Sequence, residues 1–171
     1  LCRAVERACG VHPGIKWPND LVMQGRKLCG VLTELELEAE TGLPRYVIVG
    51  IGTNVLQTEA DFGPEVAPIA ISLEQALGQA PARTALAKEI LRAMDDLYRD
   101  FPQEKAQYLE QYRRDCLTLG RPVTVLRSSG ARNGFATGIN EDFSLTVRWE
   151  DGTEEALSAG EVSVRGLYGY V

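Results

Sequence analysis

Histidine is almost missing from this chain: among 171 residues, His12 stands alone. Cysteine is sparse as well, and Cys2, Cys9, Cys29 and Cys116 form no CxxC pair, so the donor spacing of a zinc site is lacking. Cys2 and Cys9, placed on one helix, would lie about 10 Å apart along its axis, out of disulfide reach. Scattered reduced thiols fit a cytoplasmic setting. There is no basic excess; the net charge of −6 argues against a nucleic-acid-binding face on these residues. No apolar run approaches the roughly 20 residues needed to cross a bilayer, and no charged-then-apolar signal stretch opens the sequence. Repeats and low-complexity tracts are absent. What is present, 44% hydrophobic and 25% charged residues, is the composition of a globular protein of one domain or two small ones.

Leu1, Val5 and Ala8 recur at helical spacing and Gly10 stops them, with no capping residue ahead. The chain is therefore expected to begin inside an element. "HPG" then leads into a strand over residues 14–17. Pro18 lacks an amide hydrogen and holds Trp17 extended, so the ladder should end there and Asn19 and Asp20 should turn. "LVMQ" and "KLCGVLTELEL" read as two strands joined at Gly25-Arg26. Strict alternation puts Lys27 with Cys29 and Val31 on the more apolar face, an unusual seat for a surface lysine; a lysine that simply curls out of the hairpin turn is the plain alternative. "YVIVGIGTNVL" reads as a buried central strand. One side of it runs Tyr46, Ile48, Gly50, Gly52 and Asn54, a shelf on which a flat ligand could lie; two glycines admitting a neighbouring backbone is the plainer alternative.

Residues 57–68 read as a polar, proline-punctuated loop. Ser72 with Gln75 is a capping box for a short helix ending at Gly78. Two helices follow, one striped by Leu86, Ile90, Met94, Leu97 and Phe101, the other by Tyr108, Leu109, Tyr112 and Cys116. From about residue 119 the pattern becomes short strands, "RPVTVL", "FATGIN", "SLTVRW" and "EVSVRG", suggesting a small antiparallel barrel.

"KWPNDL", "RKLCGVLTE", "VGIGTNV" and a terminal "GEVSVR", in that order, resemble the biotin protein ligase family across nearly the whole chain. The resemblance implies an α+β fold. Residues 1–118 would be part of a catalytic domain with a mixed sheet, related to class II aminoacyl-tRNA synthetases. Residues 119–171 would be an SH3-like barrel. It implies ATP and Mg2+ as cofactors, biotin as substrate and biotinyl-5′-adenylate as intermediate, with a lysine of a biotin carboxyl carrier protein as acceptor. By motif, Lys27 would contact the biotin carboxyl end and the adenylate phosphate. Asn19 and Asn54 would contact adenine over Gly50 and Gly52. Asp20 would lie near Mg2+ or the acceptor amine, Lys16 near the phosphates, and Glu161 and Arg165 near ATP. Lys27, Asp20 and Lys16 are thus the expected catalytic residues.

One departure goes with this. The family's glycine- and arginine-rich loop and its ureido-gripping polar residues belong upstream of the first helix; "RSSGARNG", residues 127–134, reads as a hairpin connection instead. The chain alone is expected to be inactive or very weak, and an exposed sheet edge would favour association, a homodimer included. The alternatives are a non-catalytic adenylate-binding module of a repressor, with a DNA-binding segment upstream, and a lipoate ligase. The tryptophan of "KWPND" and the barrel weigh against the last.

Overall fold

The computed structural model describes residues 1–101, 103–159 and 163–166. Helix α1 (Cys2–Cys9) follows Leu1 without a side-chain cap and ends on Gly10, whose φ of 73° is left-handed. Four strands follow: β1 (Gly14–Lys16), β2 (Asp20–Met23), β3 (Arg26–Leu37) and β4 (Pro44–Thr53). They form one sheet in the order β1-β2-β3-β4, each neighbour antiparallel. The β2–β3 turn is Gln24-Gly25, one residue earlier than the sequence suggests. Both residues have positive φ, 51° and 72°, the pairing that matches the twist of a two-residue hairpin.

The α+β class is as expected. Within the described residues all named strands pair antiparallel, and parallel contact is confined to two isolated bridges, Ile15 with Cys116 and Lys27 with Ala70. β4 is not a buried central strand. It is the free edge of the sheet, with Tyr46 50%, Val47 51% and Ile48 51% exposed. Its apolar residues lie on both faces, and among the described residues nothing covers either at that end.

Residues 57–68 are not a loop throughout: α2 (Glu59–Val66) occupies most of them, kinked at Gly63. The Asp61 carboxylate accepts from the Thr58 backbone N–H at 2.7 Å and from its hydroxyl at 2.8 Å, a cap that aspartate supplies where glutamate is the usual signal. The Ser72–Gln75 capping box opens α3 (Leu73–Leu77) and Gly78 closes it. α4 (Arg83–Asp100) and α5 (Lys105–Asp115) complete the helices. Cys2 and Val5 of α1, Leu21, Leu28, Ile71, Leu73 and Leu86 form the core under the first sheet.

The second sheet joins β5 (Pro122–Arg127), β6 (Gly130–Ile139), β7 (Leu145–Trp149), β8 (Glu154–Leu157) and β9 (Ser163–Gly166) in the order β8-β7-β6-β5-β9. "RSSGARNG" is indeed the β5–β6 hairpin. Among the described residues β8 and β9 do not pair to close a ring.

Trp17 ties the two sheets together. It is 2% exposed and belongs to the core of the second sheet, with Val123, Val147 and Trp149. Its indole N–H donates to the Phe143 carbonyl at 2.9 Å, and its backbone N–H to the Thr118 hydroxyl at 3.0 Å. The Tyr112 hydroxyl donates to the Pro18 carbonyl at 2.8 Å while its ring meets Phe143 edge to face. The Leu117 N–H donates to the Ile15 carbonyl at 2.7 Å.

Candidate functional site

The turn from β1 to β2 runs over Trp17-Pro18, a cis peptide, and Asn19. Asp20 is not part of the turn. It opens β2, directly opposite Lys16. Asn19 is stitched to β3 by two bonds: the Val31 N–H donates to its carbonyl at 2.9 Å, and its side-chain amide donates to the Val31 carbonyl at 2.5 Å.

Lys27 does not share a face with Cys29. The β2–β3 register passes from Leu21 opposite Cys29 to Val22 opposite Lys27, so Leu28 is an extra, bulged residue. The bulge carries Lys27 onto the side of Gly30, where a Cβ would come within 3.1 Å of the Lys27 Nζ. Its backbone is fixed on the opposite side. The Lys27 N–H donates to the Ile69 carbonyl at 2.7 Å, and the Lys27 carbonyl accepts from the Ile71 N–H at 2.9 Å.

The ammonium so placed lies 2.6 Å from the Asp20 Oδ1, with Asp20 only 15% exposed. Lys16 is buried beside them. Burial lowers its pKa; Asp20 pulls it back up, while Arg165 and Lys27 push it further down. Arg165, on β9, is therefore close enough to be felt at Lys16. Among the described residues, Lys27 and Lys16 gather around Asp20 and Arg165 is felt at Lys16, in a chain whose net charge is −6. Such a cluster attracts anions.

An open groove of about 470 Å³ lies against this cluster, lined by Asn19, Asp20, Lys27, Gly30, Gly50 and Gly52 together with Val31, Leu32 and Ile51. Gly30 pairs with Gly52 and Leu32 with Gly50. Three glycines thus leave bare backbone on the groove floor. A Cβ at Gly50 would meet only the Leu32 backbone oxygen at 3.6 Å and its Cβ at 4.0 Å. At Gly52 it would meet only the Gly30 oxygen, at 3.8 Å. Among the described residues, only the paired strand β3 lies near Gly50 and Gly52, at ordinary contact distance.

The groove lining thus includes Asn19, Asp20, Lys27, Gly50 and Gly52. Lys16 lies buried beside it and Arg165 reaches the cluster from the second sheet. Asn54 stands apart, behind Lys27 and outside the groove lining: its amide nitrogen donates to the Lys27 and Ile71 carbonyls, both at 3.3 Å. Glu161 lies outside the described residues. The sequence reading passed over Gly30, which alternation had already set on the face opposite to that assigned to Lys27. It also passed over Trp17 as the strut holding Lys16 and Asp20 near Arg165.

Among the described residues, the groove lining does not by itself make a site for Mg2+. Asp20 is a single carboxylate already bonded to the Lys27 ammonium, whereas Mg2+ takes several oxygen ligands in octahedral array.

Residues 3–54 match the model of the Biotin/lipoate A/B protein ligase family, and residues 118–165 match that of the Biotin protein ligase C terminal domain. The bifunctional ligase/repressor BirA of Bacillus subtilis is 34% identical over 160 residues, covering 93% of this chain and 49% of that protein. The biotin–[acetyl-CoA-carboxylase] ligase of Mycobacterium tuberculosis is 33% identical over 150 residues, 87% of this chain and 52% of its own length. The chain thus spans about half the length of the curated relatives it matches. Among solved structures, the Aquifex aeolicus biotin protein ligase in complex with biotin and ATP superposes with a TM-score of 0.80 at 26% identity, over 96% of this chain and 67% of that one.

Proposed function

Because the chain belongs to the biotin protein ligase family, we propose that it carries the nucleotide side of a site that joins biotin to AMP and then to a lysine of a biotin carboxyl carrier protein. One observation carries this reading: the Lys27 ammonium is fixed against Asp20 at the edge of a glycine-floored groove.

In the first step a biotin carboxylate oxygen attacks the α-phosphorus of ATP, and the bond to pyrophosphate breaks. Two anions must approach, so fixed cations have to stabilise the charge growing on the phosphoryl oxygens. Lys27 is the cation at the groove, with Lys16 and Arg165 adding positive potential behind it. The flat base lies over the bare backbone of Gly30, Gly50 and Gly52, while Asn54 acts from behind by holding the Lys27 carbonyl. In the second step the acceptor amine attacks the acyl carbon, AMP leaves, and Asp20 takes up the amine proton. Mg2+, when bound to the ATP phosphates, would neutralise part of their charge.

The four free thiols fit a cytoplasmic site of action. Repressor activity, named for the Bacillus subtilis relative, would need DNA contacts from outside these residues. Lipoate ligation shares the match at residues 3–54 but not the one at residues 118–165, which favours biotin.

The test is biotin-dependent exchange between ATP and pyrophosphate with these residues joined to the glycine- and arginine-rich segment that the family carries upstream. Lys27→Gln should lower kcat/KM by about 10²–10³-fold, the scale of one lost electrostatic donor, with the circular dichroism spectrum unchanged. Undiminished exchange would leave Lys27 without a chemical role and favour a non-catalytic adenylate-binding module.

A further inference from the structure

We propose that Cys2, His12 and Asp115 form a binding site for one divalent transition-metal ion of the Zn2+ kind, outside the nucleotide groove. The Cys2 sulfur, a His12 ring nitrogen and an Asp115 carboxylate oxygen lie within 4.8 Å of one another. They come from three separate places in the chain: Cys2 opens α1, His12 sits in the loop before β1, and Asp115 closes α5. None of them lines the groove described above.

The imidazole is held between two carboxylates. Its Nδ1 is 2.8 Å from the Glu6 Oε2 and its Nε2 is 3.2 Å from the Asp115 Oδ2. A neutral ring donates from one nitrogen only. With Nδ1–H turned to Glu6, the Nε2 lone pair faces a carboxylate oxygen, and a positive charge has to sit between them. A second proton on the ring would supply it, and so would a metal ion.

Cys2 decides between the two. A proton on His12 satisfies Asp115 without engaging the nearby sulfur, whereas a metal ion takes sulfur, nitrogen and oxygen together and leaves a fourth tetrahedral position for water. Glu6 then has the usual outer role, fixing the tautomer of a ligating histidine from its far nitrogen. Arg114 Nε, at 3.3 Å from the Asp115 Oδ1, holds that carboxylate so that Oδ2 is the oxygen turned to His12. Cys2 and Asp115 also line the wide cleft between α1, α4, α5 and the first sheet, through which a hydrated ion can reach them. On binding, the Cys2 S–H proton leaves to solvent and the sulfur binds as thiolate. Sequence spacing argued against zinc because it counts neighbours along the chain. The fold collects the donors from far apart.

Such an ion would clamp α1 to the last residue of α5, one position before Cys116, whose backbone bridges Ile15. Its effect is thus on the joint between the two sheets.

Co2+ is the probe. Titrated into the reduced, metal-stripped full chain, it should give a thiolate-to-cobalt charge-transfer band and tetrahedral d–d bands that saturate at one equivalent and are displaced by Zn2+. Cys2→Ser should abolish the charge-transfer band, and Cys9→Ser should leave it intact. His12→Gln, on an exposed loop where folding is not at risk, should weaken Co2+ binding at least tenfold. Glu6→Gln should weaken it about ten- to a hundredfold, the usual outer-partner effect. No charge-transfer band, or one that survives Cys2→Ser or His12→Gln unchanged, overturns the assignment and leaves a protonated His12 between two carboxylates.

Discussion

A methyl group added at Gly30 would come within 3.1 Å of the Lys27 Nζ, 3.2 Å of its Cε and 3.4 Å of the Asp20 Oδ1. The nearest of these atoms are the far end of a flexible side chain, so the fold can yield while the ammonium is displaced by a few tenths of an ångström. Gly30→Ala should therefore leave the melting temperature nearly unchanged yet lower kcat/KM for adenylation about tenfold or more, since misplaced reacting groups are expensive. Gly50→Ala is the contrasting case. Its Cβ meets only ordinary contacts, so the sheet should gain about 0.5–1 kcal/mol from the reduced backbone freedom of the unfolded chain while nucleotide binding weakens. Thermal melts beside ATP titrations would separate the two effects. Lys16 gives a pH signature. Burial sets its folded pKa below the usual 10.5, so between those two values the unfolded chain holds the extra proton and stability rises with pH. Urea midpoints of the native protein should climb towards pH 10.5 relative to those of Lys16→Met; parallel curves would contradict this. At this scale the sequence picked out residues that do line one groove, Asn19, Asp20, Lys27, Gly50 and Gly52, but put Lys27 on the wrong face. "KLCGVL" is apolar at both parities, so nothing in the pattern signals the extra residue at Leu28.

Strands and helices were mostly legible because their signals are local: a positive-φ turn at Gln24-Gly25, a capping box at Ser72, a helical stripe on α4. Helix α2 was missed because its cap ends in aspartate and a glycine and a proline lie within it. The larger omission concerns Trp17. Its indole partner, Phe143, is 126 residues away, a distance over which no spacing rule operates. Trp17→Ala should cost about 3–5 kcal/mol by opening a cavity in the core of the second sheet. Trp17→Phe should cost about 1–2 kcal/mol, largely the orphaned Phe143 carbonyl. Urea denaturation measures both. If Trp17→Ala unfolds the protein no more readily than a surface substitution, the strut is not structural.

Across the whole molecule, the α+β class and the change from helices to short strands near residue 119 were readable, whereas the surroundings of β4 were not. Val and Ile on both faces imply cover, and among the described residues that end of the sheet has none: Leu32 is 64% exposed and Leu35 55%, alongside Tyr46 to Ile48. A long apolar edge with unpaired backbone groups invites another strand. Residues 1–171 in isolation should self-associate as concentration rises, and Ile48→Lys should reduce this, as read by light scattering on size-exclusion chromatography. Equal association in both would place the contact elsewhere.

The stitching around Trp17 also bears on how the polypeptide can be divided. Between residues 118 and 119 a sequence-minded experimenter would cut, yet there the Leu117 N–H is bonded to Ile15 and the Thr118 hydroxyl to Trp17. A nick at that point falls on a seam shared by both halves. The exposed hairpin tip, where the Gly42 and Glu38 backbones close on each other at 2.8 Å, is the better place to open the chain for complementing fragments or an inserted reporter.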